Sequence, residues 1–346
     1  MSIDVKAIAA QITAELGLSN SPLVTGDAPE FALTKLQTGV LPFDVMLGGG
    51  LPRNRISLFH GAPATLKTYL MLSCARVAQQ HDELAIIIDT EHSYDPEWAR
   101  HIGCNPEKLI VMQPTTGEEA ENVIEHVLQA YDPAFIGWDS LAATLTLEEA
   151  SKTATEVDKV ATLARFTNRL FKRINTLNRN TAILILNQER TNIGVTYGSN
   201  KTLPGGKPVL FYPSVVFSAT KVGKEAIKAD VYQHNKAVKV DHVSGVFYKI
   251  EATKDRTQPL GPPVGFVWRT EAGEVDEIGF ALDMGVNLGI IEVSGKSFSW
   301  TAPDGTAVTG TEMWRFGPKI RDNQEYAQAL MEQVLLTACP SLVVQP

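Results

Sequence analysis

The segment Ile56–Tyr69, ISLFHGAPATLKTY, limits the possible folds more than any other stretch of the chain. Ile56, Leu58 and Phe59 read as a short buried strand, and Leu70, Met71, Cys74, Val77 and Ala78 continue as an apolar helical pattern. Between them, Gly61-Ala62-Pro63-Ala64-Thr65-Leu66-Lys67-Thr68-Tyr69 has the layout of a phosphate-binding loop. Backbone N–H groups of such a loop, with the N-terminus of the helix behind it, form a concave anion site. Lys67 would bring its charge to the β- and γ-phosphates, and the Thr68 hydroxyl would hold Mg²⁺. Leu66 stands where the usual pattern has glycine. A disfavoured backbone conformation there would cost on the order of 1–3 kcal/mol. Taken alone, the segment is also compatible with an ordinary strand-to-helix loop carrying a surface lysine.

Three further apolar runs end in polar groups. Leu84–Asp89 leads into Thr90-Glu91, Ala134–Gly137 with Trp138 leads into Asp139-Ser140, and Thr181–Leu186 leads into Asn187-Gln188. Continuous apolar runs of this length are the signature of parallel strands covered on both faces. Polar groups at their C-terminal ends sit at the ligand face of an open α/β sheet. The expected fold is therefore a mostly parallel sheet flanked by helices. Asp139 has the setting of a carboxylate that orients Mg²⁺, the alternative being a helix cap. Glu91 reads as functional over a helix-starting surface acid. Leu109–Met112, Val215–Ala219 and Val246–Thr253 read as further strands, and Thr116–Ala130 as a helix.

A formal net charge of −8 gives no global basic field, so any contact with nucleic acid must come from local patches. Two candidates stand out. The helix expected over Val160–Leu177 places Arg165, Arg169 and Lys172 on one face, in a stretch without acids from Val160 to Gln188. Arg190–Lys207 also lacks acids and carries Arg190, Tyr197, Lys201, Lys207 and the pair Gly205-Gly206. Cations, a stacking aromatic and an approachable backbone suit a single-stranded polynucleotide. Leu145–Lys159 reads as a mobile loop.

The ends of the chain read as separate pieces. Ile3, Ile8, Ile12 and Leu16 form the stripe of an amphipathic helix over residues 2–18, tethered by Ser19–Pro29. That stripe must be buried either on its own body or on a neighbouring subunit. From about Gly285 a small unit begins, with a strand at Phe298–Trp300 and a final helix from about Asn323 capped by Asp322 and Glu325. The expected division is 1–37, 38–284 and 285–346. Three cysteines without ligand spacing fit a reducing compartment, and the apolar runs are far short of the roughly 20 residues of a membrane span. The start MSIDVKAIAAQ lacks the features of a signal peptide, so a cytoplasmic location is expected.

In order, the chain presents GGGLP at Gly48–Pro52, the phosphate loop, DTEHSYDP at Asp89–Pro96, QPTTGE at Gln113–Glu118, Asp139-Ser140, NQER at Asn187–Arg190 followed by Ile193-Gly194-Val195, Gly205-Gly206, and Lys254-Asp255-Arg256. This series resembles the RecA family of DNA strand-exchange recombinases, from about Thr38 to the C-terminal helix. Leu66 and the acidic composition make it similar to the bacteriophage branch of that family. The resemblance implies a P-loop NTPase core using ATP and Mg²⁺. Gly61, Lys67 and Thr68 would hold phosphates and metal, Glu91 would act on the attacking water, and Asp139 would be the metal-linked acid. Asp95 would contact adenine and Trp98 would pack on it. Gln188 would sense the γ-phosphate. Arg190–Lys207 and Leu145–Lys159 look like the family's two DNA-binding loops. Lys254 and Arg256 resemble a pair that reaches the γ-phosphate of a neighbouring subunit, on which the N-terminal helix would dock. Implied partners are single-stranded DNA, a homologous duplex, further copies in a helical filament, and accessory mediator and single-strand-binding proteins. Two other readings are a non-catalytic binding module with a weakened nucleotide site and a ring-forming ATPase motor on the same core.

Overall fold

A computed structural model describes residues 3–18, 23–151, 159–191, 201–233 and 236–342. The chain divides into two compact units, residues 1–34 and 35–346. In the first unit, helix α1 (Val5–Glu15) is capped by Asp4, whose carboxylate accepts the Ala7 N–H at 3.0 Å. Thr13 Oγ1 accepts from the Leu23 N–H at 2.9 Å and so brings the tether back onto the helix. Ile3, Val5, Ile8 and Leu16 are exposed.

The second unit is built on a nine-stranded sheet. Its strands are β1 (Arg55–Gly61), β2 (Ala85–Asp89), β3 (Leu109–Met112), β4 (Phe135–Asp139), β5 (Ala182–Gln188), β6 (Val215–Gln233), β7 (Lys236–Asp255), β8 (Val264–Arg269) and β9 (Glu274–Val275). The spatial order is β9-β8-β7-β6-β1-β5-β4-β2-β3. Pairing is parallel from β6 through β3 and antiparallel from β6 through β9. In β1, side chains alternate between faces as a pleated strand requires. Ile56 and Leu58 join a core with Trp138, Phe166 and Phe171 on one side, while Phe59 joins one with Phe43, Leu70 and Phe217 on the other. Covering on both faces is the reason these strands carry continuous apolar runs. The mostly parallel α/β fold expected from the sequence is the fold observed.

The main helices of this unit are α2 (Leu41–Met46), α3 (Lys67–Gln80), α4 (Pro96–His101), α5 (Gly117–Ala130), α6 (Leu147–Ser151), α7 (Lys159–Leu177), α8 (Pro208–Phe211), α9 (Glu277–Asn287), α10 (Met313–Arg321) and α11 (Gln324–Ala338). Helix α5 begins where Thr116 Oγ1 accepts from the Glu119 N–H, with Glu118 and Glu119 in the first turn. Both features favour a helix start there.

Several local expectations are corrected. Part of the loop expected over Leu145–Lys159 is helix α6, held by Glu149, whose carboxylate accepts from the Thr146 N–H and Oγ1; residues 152–158 lie outside the described residues. The last helix is capped by Asn323, which accepts from the Tyr326 N–H, and not by Asp322. Gly285 lies within α9, against which α11 packs. The strands expected at Val215–Ala219 and Val246–Thr253 are the roots of a much longer pair. Strands β6 and β7 run 19 and 20 residues and stay paired from Val215–Asp255 out to Gln233–Lys236, with three register shifts. Only their roots pair with β1 and β8, so the rest is a two-stranded ribbon.

Candidate nucleotide site at the strand ends

Strand β1 ends at Gly61 and α3 starts at Lys67, so the loop between them lies at the C-terminal edge of the parallel strands. Gly61 is required by close approach: a Cβ there would lie 2.7 Å from Thr65 Oγ1 and 2.9 Å from the Ala219 carbonyl. Ala64 and Leu66 adopt left-handed backbone with φ of 58° and 64°. Each such residue carries a penalty of about 1–2 kcal/mol relative to the right-handed form. Leu66 thus takes up the conformation that the usual glycine would adopt freely, and offsets part of the cost by packing its side chain against the core.

The Lys67 ammonium is buried and donates to the Ala62 carbonyl at 2.8 Å. Burial lowers its pKa, opposed by the carboxylates of Asp139, Glu91 and Glu189. Thr68 Oγ1 donates to Asp139 Oδ2 at 2.6 Å. Burial raises the Asp139 pKa to about 6, against the hydrogen bond from Thr68. A desolvated carboxylate beside a threonine hydroxyl fits the protein share of a Mg²⁺ site, because this ion keeps several waters and takes few protein ligands. Among the described residues, no group of three His, Cys, Asp or Glu side chains forms a closed metal cage.

Glu91 is reached from two strand ends at once. Ser140 Oγ donates to Glu91 Oε1 at 2.5 Å, and Gln188 Nε2 donates to the same oxygen at 2.6 Å. Thr90 locks the neighbouring segment by donating through its backbone N–H to the Asp139 carbonyl and through Oγ1 to the Ser140 carbonyl. Asp89 is buried and accepts from the Ser93 and Tyr94 N–H groups and from Gln113 Nε2, which turns the chain toward α4.

These groups line one cavity of about 440 Å³, walled by Pro63–Tyr69, Glu91, Trp98, Asp139, Gln188, Tyr248 and Trp268. Trp98 stacks on His101 at 5.0 Å, and Tyr69 meets Trp268 edge-on at 4.9 Å. Asp95 caps α4 and lines a smaller adjoining pocket that shares Thr68, Trp98 and Asp139. Lys67, Thr68, Glu91, Asp139 and Gln188 therefore converge as the phosphate loop and the strand-end pattern suggest, and Trp98, singled out only by the resemblance, lines the same cavity.

The other candidates lie elsewhere. Lys254 Nζ donates to the carbonyls of Leu210 and Phe211 at 2.9 and 2.8 Å, beside Arg256, and neither side chain lines this cavity. Lys254 pairs with Val216, three residues before the Ala219 that faces Gly61, a displacement of about 10 Å at the usual strand rise. Arg165 pairs with Glu148 at 2.9 Å, and Arg169 holds Glu121 at 2.8 Å and Glu118 at 3.3 Å. The acid-free α7 is thus matched by the acids of α5 and α6, and of its candidate trio only Lys172 is exposed with no ion pair among the described residues. Arg190 and Lys207 are exposed at the two ends of the basic loop. Arg190–Thr191 pairs with Lys201–Thr202, while Tyr197 lies outside the described residues, as does the Lys201 side chain. Asn187 Nδ2 donates to the Pro204 carbonyl at 2.9 Å, closing the base of the loop, and Gly205 and Gly206 follow with φ of 92° and 68°.

Residues 4–252 match the family model described as the RecA N-terminal domain. Protein RecA of Pseudomonas fluorescens is 31% identical over 350 residues, covering 99% of this chain and 95% of the relative. Protein RecA of Zymomonas mobilis is 31% identical over 85% of this chain and 80% of its own, and that of Thermus thermophilus 30% identical over 90% and 87%. The chain belongs to the RecA family.

Within this RecA-family site, two walls were not anticipated from the sequence. Tyr248 and Trp268 come from β7 and β8, far along the chain from the phosphate loop. Each stands in a short apolar run with no motif to single it out, and only the sheet order carries them to the cavity.

Proposed function

We propose that this chain is an ATP-dependent recombinase that assembles on single-stranded DNA and pairs it with a homologous duplex. The observation that carries the reading is the convergence of Lys67, the Thr68–Asp139 pair and the Ser140–Glu91–Gln188 cluster in one cavity. The loop amides and Lys67 would cradle the phosphates. Mg²⁺, held through Thr68 and Asp139, would neutralise charge on the phosphates when bound. Glu91, fixed by Ser140, orients the attacking water and takes up its proton. Asp95 and Trp98 hold the base.

Gln188 is the last residue of β5 and stands immediately before the basic loop. A γ-phosphate would compete with Glu91 for its amide, and any shift of Gln188 is passed to Arg190 and the loop closed by Asn187. Cations on that loop, with Arg165, Arg169 and Lys172 on α7 as further candidates, would neutralise phosphates and give salt-sensitive binding without sequence preference. Lys254 and Arg256, set apart from their own cavity, would serve the nucleotide of an adjoining copy. A nucleotide shared in this way binds the assembled state preferentially and so stabilises a filament by linkage. Helix α1 would dock on the adjoining copy. We place the chain in a bacteriophage-like branch on the strength of Leu66 and the acidic composition. Mediator and single-strand-binding proteins would act on the same strand, in the cytoplasm of the host cell.

The test is ATP hydrolysis with and without single-stranded DNA, together with a strand-exchange assay and negative-stain images with a slowly hydrolysed ATP analogue. DNA-stimulated turnover, exchanged strands and helical filaments are expected. Closed rings, or the absence of stimulation and exchange, would overturn the reading.

A further inference from the structure

Tyr248 reaches the phosphate loop from another strand: its hydroxyl donates to the Ala64 carbonyl at 2.9 Å across 184 positions of sequence. Thr65 and Lys67 also donate to carbonyls of the loop, but from within it. The Tyr248 ring is buried, stacks on Phe266 at 5.9 Å with planes 21° apart, and belongs to a residue pair in the β7–β8 ladder. The hydroxyl is therefore delivered from a rigid wall. Its target lies between the two features that set this loop apart, left-handed Ala64 and left-handed Leu66.

The Ala64 carbonyl and the Thr65 N–H belong to one planar peptide unit and point in opposite directions. Fixing the carbonyl fixes the N–H, which on the nucleotide reading would be one of the donors of the anion cradle. A glycine at position 66 would let the loop reach its binding shape freely, whereas leucine favours other shapes. We infer that Tyr248 is a positioning residue for nucleotide binding, holding the Ala64–Thr65 peptide so that a loop with leucine in place of glycine keeps its cradle. This role rests on the nucleotide reading above and adds a residue to it.

Tyr248→Phe keeps the ring and removes only the hydroxyl. The test compares the full chain, Y248F, L66G and the double variant by binding of a fluorescent ATP analogue with Mg²⁺, by ATP turnover, and by amide exchange over residues 62–68 without nucleotide. With Leu66 in place, Y248F should weaken binding about five- to tenfold, the worth of one net hydrogen bond. Its thermal midpoint should stay close to that of the unmodified chain, its KM for ATP should rise in step with the lost affinity, and exchange over the loop should quicken. In the L66G background the same change should cost under about twofold, the non-additivity of coupled sites. Equal losses in both backgrounds, or binding and exchange unchanged by Y248F, would overturn the role while leaving the nucleotide reading intact. An unmodified chain that binds no ATP would sink both.

Discussion

Gln188 and Glu91 share a 2.6 Å hydrogen bond between residues 97 positions apart, and the acceptor oxygen also takes the Ser140 hydroxyl. Both donors fall on Oε1 and hold Glu91 in place, and among the described residues no hydrogen bond engages its Oε2. Glu91→Gln should cut ATP turnover by about 10²- to 10⁴-fold, the usual worth of a positioned base, with nucleotide affinity retained. Turnover within a few-fold of the parent would return the chain to the class of non-catalytic binding modules. Gln188→Ala should leave nucleotide binding intact but make affinity for single-stranded DNA insensitive to ATP, read by fluorescence anisotropy with and without nucleotide.

Asp139 supplies a test by pH. Its pKa stands raised from 3.8 to about 6, chiefly by burial, so the folded chain retains a proton that the unfolded chain has released. That contribution to stability is complete below about pH 4 and is lost as pH climbs through about 6. Asp139→Asn should remove the dependence, making the nucleotide-free chain more stable than the parent near neutral pH by up to about 3 kcal/mol, while Mg²⁺-dependent turnover disappears. The measurement is the difference in denaturant unfolding between parent and variant from pH 4 to 7. Taking the difference cancels Asp44, whose fully buried carboxyl is raised to about 7.

The α5–α7 ion pairs separate cations engaged within the fold from those proposed to meet DNA. Glu121 has only 6% of its side chain exposed and depends on Arg169 for its charge partner. Arg169→Ala should destabilise the chain by about 2 kcal/mol through the stranded carboxylate, and Glu121→Gln added to it should recover most of the loss. Arg190→Ala and Lys207→Ala should instead leave the thermal midpoint unmoved and each reduce the salt dependence of DNA binding by about one counterion.

Removal of residues 1–34 takes away one compact unit and leaves the other complete. The truncated chain should unfold in one cooperative transition and still bind nucleotide, but stay monomeric by light scattering. Filaments formed by the truncated chain with ATP and DNA would show that α1 is not the docking element.

The strand ends were legible because burial on both faces forces continuous apolar runs, and the polar residues that stop those runs at Glu91, Asp139 and Gln188 stand at the ligand edge by topology alone. What the chain hid depends on long-range register. Trp268 and Tyr248 look like core residues until β8 and β7 are seen to lie on the phosphate-loop side of the sheet. The basic face of α7 looks free in the sequence because the partners of Arg169, Glu118 and Glu121, sit 51 and 48 positions earlier on α5, and the partner of Arg165, Glu148, sits 17 positions earlier on α6. The β6–β7 ribbon is not legible in the sequence because, among the described residues, only its roots pair with a third strand.

The clasp between Asn187 and Pro204 has a consequence for how this protein can change. With both ends of the basic loop pinned to one point, the entropy of closing it rises only logarithmically with length, about 0.6 kcal/mol for each doubling. Residues can be inserted or deleted inside the noose without displacing β5 on one side or α8 on the other. The segment between them can thereby change in length and composition while the strand-end cluster of Lys67, Glu91 and Asp139 stays as it is.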